Sequence, residues 1–436
     1  MRTHDDHGGP GHTGAAPHTA VIGSGVAGLT AAHVLTGTRP VDLYEADERL
    51  GGHAHTHEVL DSRGLPVHVD SGFIVHNRRT YPTLLRLFEE LGVETRESEM
   101  SMSVRCEGCG LEYAGARGPG GLLAAPRHLL SAPYRRLLRE VPRFHRAARA
   151  ALAAPEPDET APETLSRFLT AHRFSRYFVT HFMTPLVASV WSCDARTALR
   201  YPARYLFRFL DHHGLLSVGG SPTWRTVCGG SRTYVELLAK RLHRVRTGTP
   251  VRAVRRHADG VDVTDGGGTT RTYDSVVIAT HPGQALALLA DAGEAERAAL
   301  GAFRYARNPT LLHTDTSVLP RAPRARASWN YLLPGCGAPA DHVRISYDMN
   351  RLQGLRTPDH YLVTLNGDDR VDPGSVLARM VYEHPVYTPE SVTAQRLLPA
   401  LNRGRTAFAG AYFGWGFHED GALAGARAAE ALGGRW

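Results

Sequence analysis

Residues 18–22 are apolar, break on Gly23-Ser24-Gly25-Val26-Ala27-Gly28, continue as an alanine-rich stretch over 29–35, and return to an apolar run at 41–44. A short apolar run bounded by glycine predicts a buried strand, and the alanine-rich stretch predicts a helix. Strand, glycine turn, helix and strand in that order make a βαβ unit. Far downstream, residues 251–254, 261–264 and 275–280 alternate or run apolar between Asp-Gly turns at 259–260 and 265–266, which predicts returning strands. A Gly229-Gly230-Ser231 break and a helical pattern over 234–242 lead into them. Near the end of the chain, 406–410 reads as a strand closing on Gly410, and 416–421 opens an alanine-rich helix over 422–432.

The glycine spacing has a chemical reason. Gly23 permits the tight turn, Gly25 lets the backbone approach a pyrophosphate, and Gly28 lets the helix lie close on the strand, so that the helix N-terminus faces phosphate. Glu45, followed by Ala46, closes the second strand 22 residues after Gly23, where a carboxylate accepts from both hydroxyls of an adenosine ribose.

Between these pieces, 77–225 is mostly helical by pattern, and 287–399 holds β-rich runs at 310–314, 342–349 and 361–365. The expected fold is therefore α/β: a Rossmann-like dinucleotide domain made of 18–76, 226–286 and 400–436, interleaved with an α+β substrate domain made of 77–225 and 287–399. Residues 1–17, rich in His, Gly and Asp, predict a disordered lead.

Composition narrows the class. The chain has 436 residues, 42% apolar and 21% charged, which excludes collagen-like, coiled-coil and wholly disordered readings. No run reaches the roughly 18 uncharged apolar residues of a spanning helix, and no signal-peptide core appears, so a cytoplasmic location is expected. Five cysteines are too few for a disulfide scaffold. The net charge of +7 is carried by arginine, because Lys240 is the only lysine. Those arginines are dispersed and accompany no groove-reading motif, so no nucleic-acid partner is expected.

Six residues after Glu45 comes Leu50-Gly51-Gly52-His53. A glycine pair at that distance resembles the second half of the FAD fingerprint in glutathione-reductase-like and amine-oxidase-like flavoproteins. Val69-Asp70-Ser71-Gly72-Phe73, Trp224–Ser231, Ser328-Trp329-Asn330-Tyr331 and Gly416-Phe417-His418-Glu419-Asp420-Gly421 extend the match over nearly the whole chain. The sequence is similar to a bacterial subgroup of the flavin-containing amine oxidoreductase superfamily that looks like the oxidase-like domain fused to plant cyclopropane fatty acid synthases. The resemblance implies non-covalent FAD, held by Gly23, Ser24, Gly25, Ala27, Gly28, Glu45, Ala46, Gly51, Gly52 and His53. It adds Val251 beside the adenine, Gly410 near the ribityl chain, and Asp420 at a helix N-terminus facing the flavin. Asp70 and Gly72 correspond to a turn beside the flavin ring in relatives, where the plainer reading is a β-turn opened by Asp.

Oxidases of the superfamily often carry a flavin-facing lysine on a substrate-domain strand. Here the strand that looks equivalent, 308–314, has no lysine, and His313 stands in its place as a candidate acid–base group or a plain half-buried strand residue. Trp415 and Phe417 are candidates for the aromatic walls of the substrate pocket, or for core. A wall of Phe and Trp suits a hydrocarbon better than an amine. The resulting expectation is an FAD-dependent dehydrogenase of an apolar lipid, fatty-acyl or isoprenoid-like chain, with a strict amine oxidase, a non-redox isomerase and a non-enzymatic flavin protein as alternatives.

Residues 134–152 form a basic amphipathic helix, a surface helix that would equally suit peripheral docking on anionic lipid. No metal is expected. Cys106-Glu-Gly-Cys109 has knuckle spacing but reads as a hairpin turn, and alternating His53, His55 and His57 belong to the flavin motif.

Overall fold

In the computed structural model the described residues are 17–155, 162–217, 219, 221–337 and 341–436. All but the last residue of the expected disordered lead lies outside them. Five strands form a parallel sheet in the order Arg244–Arg246, Val41–Tyr44, Thr19–Ile22, Ser275–Ile278, Thr406–Phe408. These strands come from three stretches of chain far apart in sequence. Their continuous apolar character follows from coverage on both faces. Val21, Leu43, Val277 and Ala407 face the helices, while Ala20, Ile22, Tyr44, Val276 and Phe408 share a core with Val254, Val261, Val263 and Tyr273 of a three-stranded antiparallel sheet.

The first helix, Val26–Thr36, and the C-terminal helix, His418–Ala431, pack against each other at a separation only glycine allows. A methyl group on Gly425 would collide with the Ala27 carbonyl, and one on Gly421 would lie 2.6 Å from a Val26 methyl. On its other side, a methyl on Gly28 would collide with the Gly23 carbonyl. The alanine-rich composition of both helices is thus a matter of clearance.

The second body is a seven-stranded mixed sheet in the order Val376–Val386, Arg304–His313, Leu362–Leu365, Ile345–Asp348, Trp329–Leu333, Met102–Cys106, Glu112–Gly115. The segment 77–225 is mostly helical, as expected, but it also contributes the last two strands of this sheet. That insertion carries helix Pro82–Leu91 and then these two strands, and is helical again from Gly118 onward. Strands of four and five residues give too little periodicity to be seen in sequence.

The expected basic helix spans Ala132–Ala153. Tyr134, Leu137, Phe144 and Ala148 are buried in the main core, among the aromatic residues of Ala203–His212 and Arg176–Phe178. Its apolar face is therefore used inside the protein, leaving an arginine-rich face outward. No helix among the described residues is long and apolar enough to cross a membrane.

Glu419, in the first turn of the C-terminal helix, accepts hydrogen bonds from the backbone N–H groups of Thr83 and Leu84, at the start of helix Pro82–Leu91. One helix start thus caps another. Replacing Gly425 by valine should separate the two close helices and cost about 1–3 kcal/mol or more of stability, read by urea denaturation.

Candidate functional site

The glycine turn lies at the carboxyl end of the parallel strands, where ligands bind in open α/β sheets. Gly23 has φ +98°, and a Cβ there would lie 2.7 Å from the Ala279 carbonyl oxygen. Gly25 differs: it caps the first helix with φ −63°, and a Cβ built on it meets nothing within 4 Å. Protein packing gives no reason for glycine at 25, so the cradle it leaves open fits a ligand's phosphates. The Glu45 carboxylate borders this cradle and accepts from Ser24 N–H at 2.9 Å and from Asp47 N–H at 3.0 Å. Ser24 Oγ in turn accepts from Gly51 N–H at 3.1 Å, and a Cβ on Gly52 would meet Gly25 Cα at 3.2 Å. The two glycine motifs, separate in sequence, form one surface. Ala27 is buried in the first helix, whereas Ala46 is exposed beyond Glu45. Val251 is half-buried at the start of its strand, two residues after Thr249, whose N–H donates to the Glu45 carbonyl at 2.8 Å.

From Gly52 the chain passes to His53, where it crosses the Asp70–Phe73 turn. Phe73 N–H donates to the His53 carbonyl at 2.7 Å, and a Cβ on Gly72 would collide with that same oxygen. The Asp70 carboxylate is buried and engaged by protein donors. It accepts from Thr56 Oγ1 at 2.6 Å, from Ser231 N–H and Oγ, and from Gln353 Nε2 at 3.0 Å. Burial still raises its pKa to about 6 against those donors. At the turn expected beside the flavin, Asp70 thus ties four chain segments together.

His53 opens a cluster the sequence did not reveal. Its ring centroid lies 5.0 Å from that of Tyr382 and 5.4 Å from that of His384, both on the long strand Val376–Val386. Asn308 accepts from Asn366 Nδ2 at 2.9 Å and donates through Nδ2 to the Ser192 carbonyl and to His384 Nδ1 at 3.1 Å. That bond puts the His384 ring proton on Nε2. His281 stacks on Tyr305 at 4.0 Å and pairs with Glu383 at 3.2 Å. Burial pushes His384 down to about 4 and His53 well below the usual imidazole range, with neighbouring His384 and His281 adding to the shift at His53. Both rings keep part of their surface accessible. Both residues are half-buried, and at neutral pH both imidazoles are uncharged.

The C-terminal motif builds an aromatic group against the helical insertion. Gly410 follows the last parallel strand, and 411–413 forms a tight 3₁₀ turn. Phe417 stacks on Phe209 at 4.9 Å and 19°, with Trp191 at 6.2 Å. Trp415 lies 5.9 Å from Phe209 and 6.4 Å from Tyr205. The loop is clamped by the helical insertion: Trp191 Nε1 donates to the Trp415 carbonyl at 2.9 Å, and Tyr205 hydroxyl to the Gly414 carbonyl at 2.8 Å. Asp420 accepts from Phe417 N–H at 2.9 Å, closing the first turn of the C-terminal helix. Burial raises its pKa to about 7 in spite of backbone donors from Phe417, Trp415 and Gly416. His418 stacks face to face with Phe73 at 3.7 Å and meets Tyr234 hydroxyl at 2.8 Å, joining this motif to the Gly72 turn.

His313 is not part of this assembly. It lies on the same strand as Asn308, about 17 Å further along. Fully buried, it contacts Thr364 Oγ1 through Nε2 at 2.7 Å and accepts from Asp315 N–H through Nδ1 at 3.2 Å. The candidate acid–base residue His313 therefore lies away from this cluster, where the same strand places Asn308 and, across the register, His384 nearer His53. Lys240 is exposed at the end of helix Arg232–Ala239 in the cofactor layer.

Comparison with known proteins agrees with this geometry. The family described as flavin containing amine oxidoreductase matches residues 26–311. A carotenoid phi-ring synthase of Streptomyces griseus is 30% identical over 302 residues, 65% of this chain; the chain spans 56% of that relative's length. Cyclohexylamine oxidase from Brevibacterium oxydans IH-35A superposes with TM-score 0.67 at 17% identity, covering 96% of this chain and 99% of that one. A CLA-producing fatty acid isomerase from P. acnes superposes with TM-score 0.68 at 15% identity, covering 96% and 98%. The fold is that of the flavin amine oxidases.

Two measurements test the site. Gly25→Val should leave the thermal stability of flavin-free protein unchanged while reducing bound flavin at least roughly tenfold, read by absorbance per chain. His313→Gln should leave flavin binding and reduction intact but alter acid sensitivity. His55, His76, His213, His313, His384 and His418 are all pushed down to about 3 or about 4, chiefly by burial. Unfolding lets them take protons, so their contribution is present above about 6.5 and is lost as pH falls toward 4. Asp70 and Asp420, raised by burial, oppose this over the same range but are fewer. The Gln variant should flatten the acid limb of stability by up to one proton, about 1.4 kcal/mol per pH unit.

Proposed function

The chain belongs to the flavin-containing amine oxidoreductase family and is a flavin oxidoreductase with FAD as cofactor, and we propose that it dehydrogenates an apolar, lipid-like chain of fatty-acyl or isoprenoid type. The observation that carries this reading is the Phe209–Phe417–Trp191–Trp415 group over the start of the C-terminal helix. Such a wall recognises hydrocarbon by area and shape and excludes water, and it carries no charge to select an ammonium group. The relative named as a carotenoid phi-ring synthase points to the same substrate class, as does the resemblance to the oxidase-like domain of plant cyclopropane fatty acid synthases.

Bound FAD supplies the hydride acceptor at its N5. The chain's own residues hold and orient it. The open cradle at Gly25 and the first helix's N-terminus hold the pyrophosphate, and Glu45 holds the ribose. The N-terminus of helix His418–Ala431 stabilises negative charge that develops in front of it. His53 and His384, neutral at working pH, take the acid–base role, with Asn308 and Asn366 fixing His384 as an Nε2 donor.

Anaerobic titration of the holoenzyme with fatty acids, carotenoid precursors, amines and NAD(P)H tests this directly. Bleaching of the flavin band by an apolar chain, restored by air, is the expected result; bleaching by amines alone would overturn the substrate class. His384→Gln should slow the reductive step about 10²-fold at unchanged flavin content.

A further inference from the structure

Three of the five cysteines meet at one place, although Cys106 and Cys336 are 230 residues apart in the chain. Cys106 ends the strand Met102–Cys106, and Cys109 lies in the hairpin turn that follows. This is the turn the spacing predicts, but it does not stand alone. The loop after strand Trp329–Leu333 brings Cys336 against it, and Gly108 makes the approach feasible: a Cβ there would lie 2.9 Å from Cys336 N. From the helical insertion comes His181, in a π-helical turn over Val179–Met183 that interrupts an otherwise α-helical run from Arg176 to Trp191. π-turns of this kind recur at functional sites.

We propose that Cys106, Cys109, His181 and Cys336 form a closed, tetrahedral structural zinc site. One ligand atom from each lies within 4.8 Å of all the others. Cys106 Sγ and Cys336 Sγ are 3.5 Å apart, and Cys109 Sγ and His181 Nε2 are 3.6 Å apart. Zinc bonds of about 2.3 Å to sulfur and about 2.0 Å to nitrogen set ligand separations of about 3.5–3.8 Å, so the set needs only a small contraction around the ion.

The surroundings are already arranged as a metal site requires. His181 Nδ1 donates to the Tyr177 carbonyl at 3.1 Å, which fixes the tautomer with the Nε2 lone pair aimed at the sulfurs. The Tyr177 ring stacks behind that imidazole at 4.0 Å, and its hydroxyl lies 3.9 Å from Cys109 Sγ. Three soft sulfurs and one imidazole, with every ligand supplied by the chain, select zinc over magnesium or calcium and leave no open position for substrate. Binding replaces the three thiol protons by the ion and involves no redox change. Its role is mechanical: it ties the hairpin and the Cys336 loop of the large sheet to the helix whose far end carries Trp191 of the aromatic wall.

The test is metal analysis of the intact, reduced holoenzyme, washed with EDTA so that the histidines of residues 1–16 do not contribute. About one zinc per chain is expected, released when a mercurial titrates the thiols and detected with a chromogenic chelator. The Cys109→Ser/Cys336→Ser double variant should lose the zinc while Cys228→Ser keeps it. Flavin content measured on the same samples separates this proposal from the cofactor assignment, since bound FAD is expected either way. Protein that carries no zinc as isolated or after reduction and zinc loading would overturn it. So would zinc retained in full by the double variant, or a disulfide joining any two of Cys106, Cys109 and Cys336 in the cellular protein.

Discussion

The cofactor half depends on backbone meeting backbone without side chains between. Gly28 against the Gly23 carbonyl and Gly425 against the Ala27 carbonyl hold the first and last helices and the first strand at distances no other residue permits. That closeness puts two helix N-termini beside one space: the first at the open cradle of Gly25, the last at the loop of Trp415 and Phe417. Both N-termini carry the positive end of a helix dipole, so the pair favours negative charge between them.

The second constraint is electrostatic. A site that handles an apolar chain must hold polar chemistry without holding charge, because a charge in low dielectric would draw water with it. His53 and His384 satisfy this because burial keeps them neutral at neutral pH, and burial raises Asp420 toward its neutral form. Asp70 is the same device used structurally: four donors from three other segments are gathered on one carboxylate, joining the cofactor layer to the large sheet through Gln353.

Much of this was legible in sequence because it rests on local spacing. The Gly23–Gly28 turn, the Glu45 offset, the Gly51-Gly52 pair and the Gly416–Gly421 helix start are each confined to a few residues, and each lies at the expected point of the parallel sheet. What was not legible rests on register between distant strands. His384 faces Ala306 only because strand Val376–Val386 pairs with Arg304–His313, and its mixed burial shows no clean period. For the same reason the sequence does not show which position of the 308–314 strand reaches the cluster: Asn308 bonds His384, and His313 lies five residues further on. The cysteines repeat the lesson, since neither the hairpin spacing nor a lone Cys336 or His181 suggests a ligand set until the topology joins them.

The place of the C-terminal helix in the fold has a consequence for how the protein comes to hold its cofactor in the cell. Strand Thr406–Phe408 completes the parallel sheet, and helix His418–Ala431 caps helix Pro82–Leu91. A ribosome-bound chain shorter than about 430 residues therefore exposes the first βαβ unit with one flank bare. Such long-range closure is slow, and the waiting unit presents apolar surface and an unpaired strand edge. The Gly23–Gly28 turn therefore gains its last flank only once this strand and helix have been made and packed.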